Sequence, residues 1–84
     1  MPLEEYIEKV KQRIERNFDI FDYDWTSITD SVKHCYRNNF SELDAYRFCS
    51  YTEEVNPTLT EDKALAKMAV LYKKYGLDDK RVKK

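Results

Sequence analysis

Residues 58–77, TLTEDKALAKMAVLYKKYGL, constrain the fold more than any other stretch of this 84-residue chain. Thr58 followed by Glu61 predicts a capping box at the start of a helix. Gly76 predicts a left-handed stop, after which Leu77 folds back. Between these signals, apolar residues recur at steps of three and four, which aligns them on one side of an α-helix: Leu65, Met68, Ala69, Tyr72 and Tyr75.

Three further amphipathic helices are predicted before this stretch. The first runs from Pro2 to Asn17. The second begins after Asp24, Thr26 or Ser27 and ends near Asn38 and Asn39, either of which can adopt the left-handed conformation. Ser41 caps the third, which ends before Pro57. We expect these helices to share a core of Leu3, Ile7, Val10, Ile14, Val32, Phe48, Leu65, Met68 and Tyr72.

Composition agrees with an all-α fold. One glycine and two prolines provide few tight turns, which argues against a sheet-rich fold. The sequence therefore predicts a small single-domain bundle of about four helices over residues 1–77, followed by a charged, flexible tail over residues 78–84. A strict apolar seam on the first helix also leaves a homodimer open beside the monomer.

Charge is unevenly distributed along the chain. The net charge is −1, so no overall field attracts nucleic acid or a membrane surface. Residues 1–55 carry twelve acids against seven bases, a net charge of −5, whereas residues 56–84 carry four acids against eight bases, a net charge of +4. Cys35 and Cys49 are too few for a disulfide scaffold, and no apolar signal segment is evident. We expect a cytoplasmic protein with reduced thiols and no membrane contact.

The segment from Phe18 to Asp30 is the best candidate for a binding surface. It interleaves aromatic rings with carboxylates and contains no lysine or arginine. Rings can anchor a partner while acids steer a basic one towards it. The predicted contact residues are Asp19, Asp22, Tyr23, Asp24, Trp25 and Asp30. The alternative is structural: Phe18, Phe21 and Trp25 fill the core while the aspartates face water.

No pattern in the sequence predicts catalysis, a cofactor or a metal. Asp22, Asp24, Thr26 and Asp30 fit odd-numbered positions of a calcium loop, but Lys33 stands where the bidentate glutamate belongs. Cys35 and Cys49 lack paired zinc-ligand spacing. His34 points about 100° away from Cys35 on a helix, which disfavours a nucleophile and base pair. We therefore expect a protein that is not an enzyme.

Two other classes of function stay open. The second and third helices, joined by a short turn, match a helix-turn-helix layout that would bind nucleic acid through Arg47 and the lysine-rich C-terminal part. Glu42 and Asp44 on the reading helix oppose that hypothesis, because they repel phosphate. The third possibility is a self-associating structural subunit.

In size, acidity and aromatic content the chain is similar to small phage or mobile-element proteins that act by binding one host protein, anti-defence inhibitors among them. This similarity is one of type, and it assigns no residue. The function it implies is stoichiometric protein binding, as an adaptor, regulator or inhibitor.

Overall fold

Four α-helices make up most of the chain that the computed structural model describes, residues 1–18 and 24–77. They are α1 (Leu3–Asn17), α2 (Trp25–Arg37), α3 (Glu42–Ser50) and α4 (Glu61–Lys74). No strand lies within the described residues, so the predicted all-α bundle is confirmed. In the same residues, no helix has both the length and the apolar character needed to cross a membrane.

The core forms where α1, α2 and α3 meet. Residues fully removed from solvent there are Val10, Ile14, Val32, Cys35, Ala45 and Cys49. Six of the nine predicted core residues are buried, whereas Leu3, Ile7 and Leu65 are only half-buried. Tyr6, which is not among the predicted core residues, is also buried. Its hydroxyl donates a 3.0 Å hydrogen bond to the carbonyl of Phe40, which satisfies the polar end of the ring.

Helices α2 and α4 end in the same way, with a Schellman motif. After α2, Asn39 has a φ of 63°, and the Phe40 amide donates to the Cys35 carbonyl. After α4, Gly76 has a φ of 69°, and the Leu77 amide donates to the Tyr72 carbonyl. Both left-handed stops were predicted from the sequence. They turn Phe40 into the core and Leu77 back along α4.

The boundaries predicted between α3 and α4 are wrong. Helix α3 ends at Ser50 rather than just before Pro57, because the Thr52 hydroxyl bonds back to the Cys49 carbonyl and competes with continued helix. Helix α4 begins at Glu61, and its N-cap is Thr60, whose hydroxyl accepts from the Lys63 amide. The Thr58 hydroxyl donates instead to the Asn56 side chain. Residues 51–60 therefore form a connecting loop.

One buried carboxylate joins the start of α3 to the end of α4. Asp44 is only 1% exposed, and it accepts hydrogen bonds from Lys74 Nζ at 2.8 Å, from Arg47 Nη1 at 3.2 Å and from the Tyr75 hydroxyl. The Tyr75 hydroxyl also accepts from the Ser41 amide at 2.9 Å. Ser41 caps α3 as predicted, with its hydroxyl accepting from the Asp44 amide. We call these five residues the Asp44 junction.

The junction keeps Asp44 ionised. Burial alone would raise the pKa of this carboxyl, but hydrogen bonds from Lys74 and Tyr75, the Lys74 charge and the Arg47 hydrogen bond outweigh it and lower the pKa to about 2. The same contact with Asp44 raises the pKa of the Lys74 ammonium. Because the folded-state pKa lies below the unfolded value of about 3.9, the resulting stability is present above pH 4 and is lost as the pH falls towards 2.

We expect Asp44→Asn to lower the free energy of unfolding at pH 7 by about 1 to 3 kcal/mol, since the amide keeps the shape but removes the charge that holds Lys74 and Tyr75. Near pH 2 the native carboxyl is itself becoming neutral, so the difference from wild type should shrink strongly. Urea unfolding at pH 7, 4, 3 and 2 measures this difference in the free energy of unfolding.

Asp30→Asn, which changes an exposed carboxylate on α2, is the matched control and should shift the free energy of unfolding by less than about 0.5 kcal/mol. A difference between Asp44→Asn and wild type that stays constant from pH 7 to pH 2 would contradict the account of the junction.

Gly76→Ala should cost about 1 kcal/mol of stability, because alanine resists the left-handed backbone. A Cβ atom at this position would meet no other atom within 4 Å, so the cost comes from the backbone alone. Gly76→Asn should cost less, since asparagine tolerates this conformation at position 39. Thermal unfolding of the two variants compares them, and equal losses would argue against the assigned cause.

Candidate functional site

An open groove of about 900 Å³ lies between α2, the loop 51–60 and α4. It exists because α4 is buried unevenly. The buried residues of this helix, Met68, Leu71 and Tyr72, all lie in its C-terminal half. Ala64 and Leu65 in the N-terminal half are only half-buried and line the groove. The Asp44 junction thus fixes one end of α4, and the other end forms one wall of a cleft.

Four carboxylates border this groove. They come from three different elements: Asp30 from α2, Glu53 and Glu54 from the loop, and Glu61 from the first turn of α4. All four side chains are exposed, and the lining contains no lysine or arginine. The ion pairs within residues 1–18 and 24–77 use other acids, namely Glu5, Glu42 and Asp44. We call this feature the acid-rimmed groove.

The floor of the acid-rimmed groove is apolar and aromatic. Its apolar and aromatic lining residues, all buried or half-buried, are Phe48, Tyr51, Leu59, Ala64, Leu65, Met68, Tyr72 and Leu77. Three polar lining residues, Ser31, Asn38 and Thr52, are also half-buried. The Phe48 and Tyr72 rings meet edge to face, with their centroids 5.9 Å apart. Lys67 is not a lining residue, but its ammonium lies 5.4 Å from the centre of the Tyr51 ring. Aromatic surface beside negative charge suits a ligand that is both apolar and cationic.

His34 stands at the wall of the groove between the acids and the floor. Its Nε2 atom forms a 3.0 Å hydrogen bond with the Tyr72 hydroxyl, and its ring packs 5.9 Å from that of Phe48. The bond links α2 to α4 across the base of the cleft. The hydrogen bond keeps the His34 and Tyr72 side chains in contact.

The predicted contact residues fall in different places. Asp19, Asp22 and Tyr23 lie outside the described residues. Asp24 is the N-cap of α2, and its carboxylate accepts from the Ser27 amide and hydroxyl. Trp25 is half-buried against the core, with the Lys11 ammonium 5.2 Å from its ring. Asp30 is exposed, and of the three predicted residues that the structure describes it is the one that lines the acid-rimmed groove.

Sequence reasoning missed the rest of the groove because it extended α3 through residues 51–56. A signal was nevertheless present. Between Arg47 and Lys63 there is no lysine or arginine, whereas Glu53, Glu54, Glu61 and Asp62 fall within ten residues. A run of acids next to a proline is typical of an exposed loop. The position of Glu61 at the groove depends on where α4 begins. The sequence predicts a start at Thr58, whereas the N-cap is Thr60.

The two thiols lie in the core rather than near the groove. Cys35 and Cys49 are free, and both are fully buried. Burial raises the pKa of the Cys35 thiol far above its usual range and raises that of Cys49 to about 12. A protonated, buried thiol is a poor nucleophile and a poor metal ligand. Across residues 1–18 and 24–77, no three side chains of the metal-binding types lie together.

In the helix-turn-helix alternative, charged residues of the reading helix form ion pairs within the chain. Glu42 pairs with Arg13 of α1, and Arg47 is held by Asp44. Glu42 and Arg47 both lie on α3, the helix that would read the bases, and each already has a charged partner within the chain. Nucleic-acid binding stays a prediction.

The chain matches no family model, no curated protein and no solved structure.

We expect Cys35 and Cys49 to react with a neutral thiol reagent at least about tenfold more slowly in the native protein than in denaturant, since the reagent must wait for the core to open. Thr26→Cys, which places a thiol at an exposed position of α2, should react at nearly the unfolded rate. Absorbance of the coloured group that the reagent releases measures the reaction rates of the native cysteines and of the introduced one. Rapid reaction of a native cysteine would contradict its burial.

Proposed function

We propose that this protein is a non-enzymatic protein-binding module, an adaptor, regulator or inhibitor, that docks a basic and partly apolar surface of a partner protein. The observation that carries the proposal is the acid-rimmed groove, where four exposed carboxylates surround an aromatic and aliphatic floor. The charge of the rim and the apolar character of the floor each contribute a different part of recognition.

The carboxylates supply attraction and orientation. Like charges on one face raise the local negative potential, which steers a basic partner and repels an acidic one. Glu61 and Asp62 also occupy the first turn of α4. They offset the positive end of that helix, which would otherwise attract anions. The lining of the groove therefore carries four carboxylates and no lysine or arginine, although Lys67 lies nearby beside Tyr51. This excess of negative charge favours lysine- and arginine-rich surfaces over nucleic acid.

The floor supplies affinity. Burying apolar surface contributes about 25 cal/mol per Å², and aromatic side chains are frequent anchors of protein interfaces. A volume of about 900 Å³ lies at the upper end of the range for small-molecule pockets. It is open enough to admit several side chains of a larger partner.

The segment from Phe18 to Asp30 belongs to this proposal through Asp30, which also lines the acid-rimmed groove. Asp24 and Trp25 already have partners within the chain, so we place the main contact at the groove. Asp19, Asp22 and Tyr23 stay a predicted extension of it.

Selection from a displayed library of random 16-residue peptides tests the proposal. We expect the wild-type protein to enrich peptides that combine several Lys or Arg residues with apolar ones. The groove variant carries four changes that remove the rim charge: Asp30→Asn, Glu53→Gln, Glu54→Gln and Glu61→Gln. It should bind the enriched peptides at least about tenfold more weakly, because each exposed charge pair contributes up to about 1 kcal/mol.

A second variant with the same loss of charge is the control. It carries glutamine at four exposed α1 positions away from the groove: Glu4, Glu5, Glu8 and Glu15. It should bind like wild type. Enrichment of neutral or acidic peptides, or equal weakening in both variants, would contradict the proposal. Retardation of random duplex DNA at low salt that disappears on adding salt would favour the nucleic-acid alternative instead.

A further inference from the structure

The walls of the acid-rimmed groove limit the conformation of whatever binds there. Helices α2 and α4 form two sides, and their backbone amides are used within each helix. The loop closes on itself: the amides of Tyr51, Thr52, Val55, Asn56 and Leu59 all donate to carbonyls between Phe48 and Asn56. No strand edge lies beside the groove within the described residues. An incoming chain therefore meets side chains on the two helical walls and no strand edge along the described walls of the groove.

This restriction has an energetic consequence for a bound segment. A peptide laid over an apolar floor loses water from its own N–H and C=O groups, and each buried group left without a partner costs about 1 to 3 kcal/mol. An extended segment satisfies such groups by adding to a sheet edge. An α-helix satisfies them internally. The groove accordingly favours a helical occupant.

The spacing of acids and apolar surface defines that helix further. Acids border the cleft from α2, from the loop and from α4, while Phe48, Met68 and Tyr72 lie buried between them. A helix with one apolar stripe and basic residues on both sides of it would place the stripe on the floor and a base near each rim. Helix-in-groove complexes use apolar anchors at i, i+3 or i+4 and i+7.

We propose that the acid-rimmed groove binds an amphipathic α-helix of the partner whose apolar stripe is flanked by lysine or arginine. This inference rests on the proposed function, since it names the class of partner segment that the same groove accepts. Charge complementarity is the argument for the basic flanks, and the absence of an available strand edge among the described residues is the argument for the helix.

Two displayed 16-residue libraries of equal composition test the inference. Both contain Lys, Arg, Gln and Ser at polar positions and Leu, Ile, Phe and Met at apolar ones. One library places its eight apolar residues at positions 1, 4, 5, 8, 9, 12, 13 and 16, which share one side of a helix, and the other places eight at every second position. We expect the first library to yield at least tenfold more binders that depend on the groove, defined as those lost with the groove variant.

A synthetic peptide from the enriched set gives a sharper comparison. Replacing two central residues by their D-enantiomers keeps composition and charge but breaks a right-handed helix. We expect at least a tenfold weaker affinity by fluorescence anisotropy. Circular dichroism should show that the all-L peptide gains helix on binding, and NMR shifts should concentrate at His34, Met68 and Tyr72.

Different outcomes separate the two proposals. Groove-dependent binders that come equally or mainly from the alternating library would overturn the helical occupant and leave the proposed function standing. If neither library yields binders that the groove variant loses, the proposed function fails, and this inference fails with it.

Two other occupants are tested by the same reagents. If deleting residues 78–84 raises peptide affinity tenfold or more, the groove belongs to this chain's own basic segment, and the inference is overturned. Light scattering that shows a dimer of wild type but not of the groove variant would assign the groove to a second copy, with the same consequence. Unchanged affinity on deletion and a monomer throughout would support the partner helix.

Discussion

A carboxylate that is 1% exposed must be balanced by partners, and in this protein that requirement decides where α4 lies. An ionised side chain buried without compensation costs several kcal/mol. Asp44 obtains compensation from Arg47 within its own helix and from Lys74 and Tyr75 at the far end of the chain. Stacking supports this contact, since the Phe40 and Tyr75 rings lie nearly parallel with their centroids 4.2 Å apart. The polar and aromatic contacts thus fix the same end of α4.

The groove follows from this one-sided attachment. With its C-terminal half fixed at the Asp44 junction, α4 can leave its N-terminal half less buried, and the loop 51–60 provides the length that this arrangement needs. Val55, which is fully buried, anchors the middle of that loop. The cleft that results is bordered by charges of one sign and floored by rings. A feature that stabilises the fold therefore also shapes the surface on which the proposed function depends.

Much of the fold can be predicted from the sequence because local signals agree with the tertiary structure. Apolar steps of three and four residues identify the helices, and Ser41, Asn39 and Gly76 mark boundaries through local backbone chemistry. The start of α4 is different. Thr58 and Thr60 offer the same hydroxyl, and which one caps the helix depends on the Asn56 side chain, which binds Thr58. Sequence spacing alone does not distinguish them.

The functional surface is less accessible to sequence reasoning because it is assembled from distant segments. By its position, Asp44 is an ordinary first-turn acid of α3. Its burial against Lys74 and Tyr75 depends on residues about thirty positions later in the chain. Likewise, Asp30 and Glu61 are thirty-one residues apart in the numbering. They border one groove because α2 and α4 both pack against α3. The segment from Phe18 to Asp30 is contiguous, so its rings and acids can be recognised from the sequence without knowing the fold.

Nuclear Overhauser effects measured in solution on the free protein test the central claim most directly. The account predicts contacts between the Phe40 and Tyr75 ring protons, which report the Asp44 junction. It also predicts no contacts from the Leu65 methyl groups to the Asp30 and Ser31 side chains on the opposite wall. Strong contacts between Leu65 and these two residues would mean that the groove is closed in solution, and they would contradict the account.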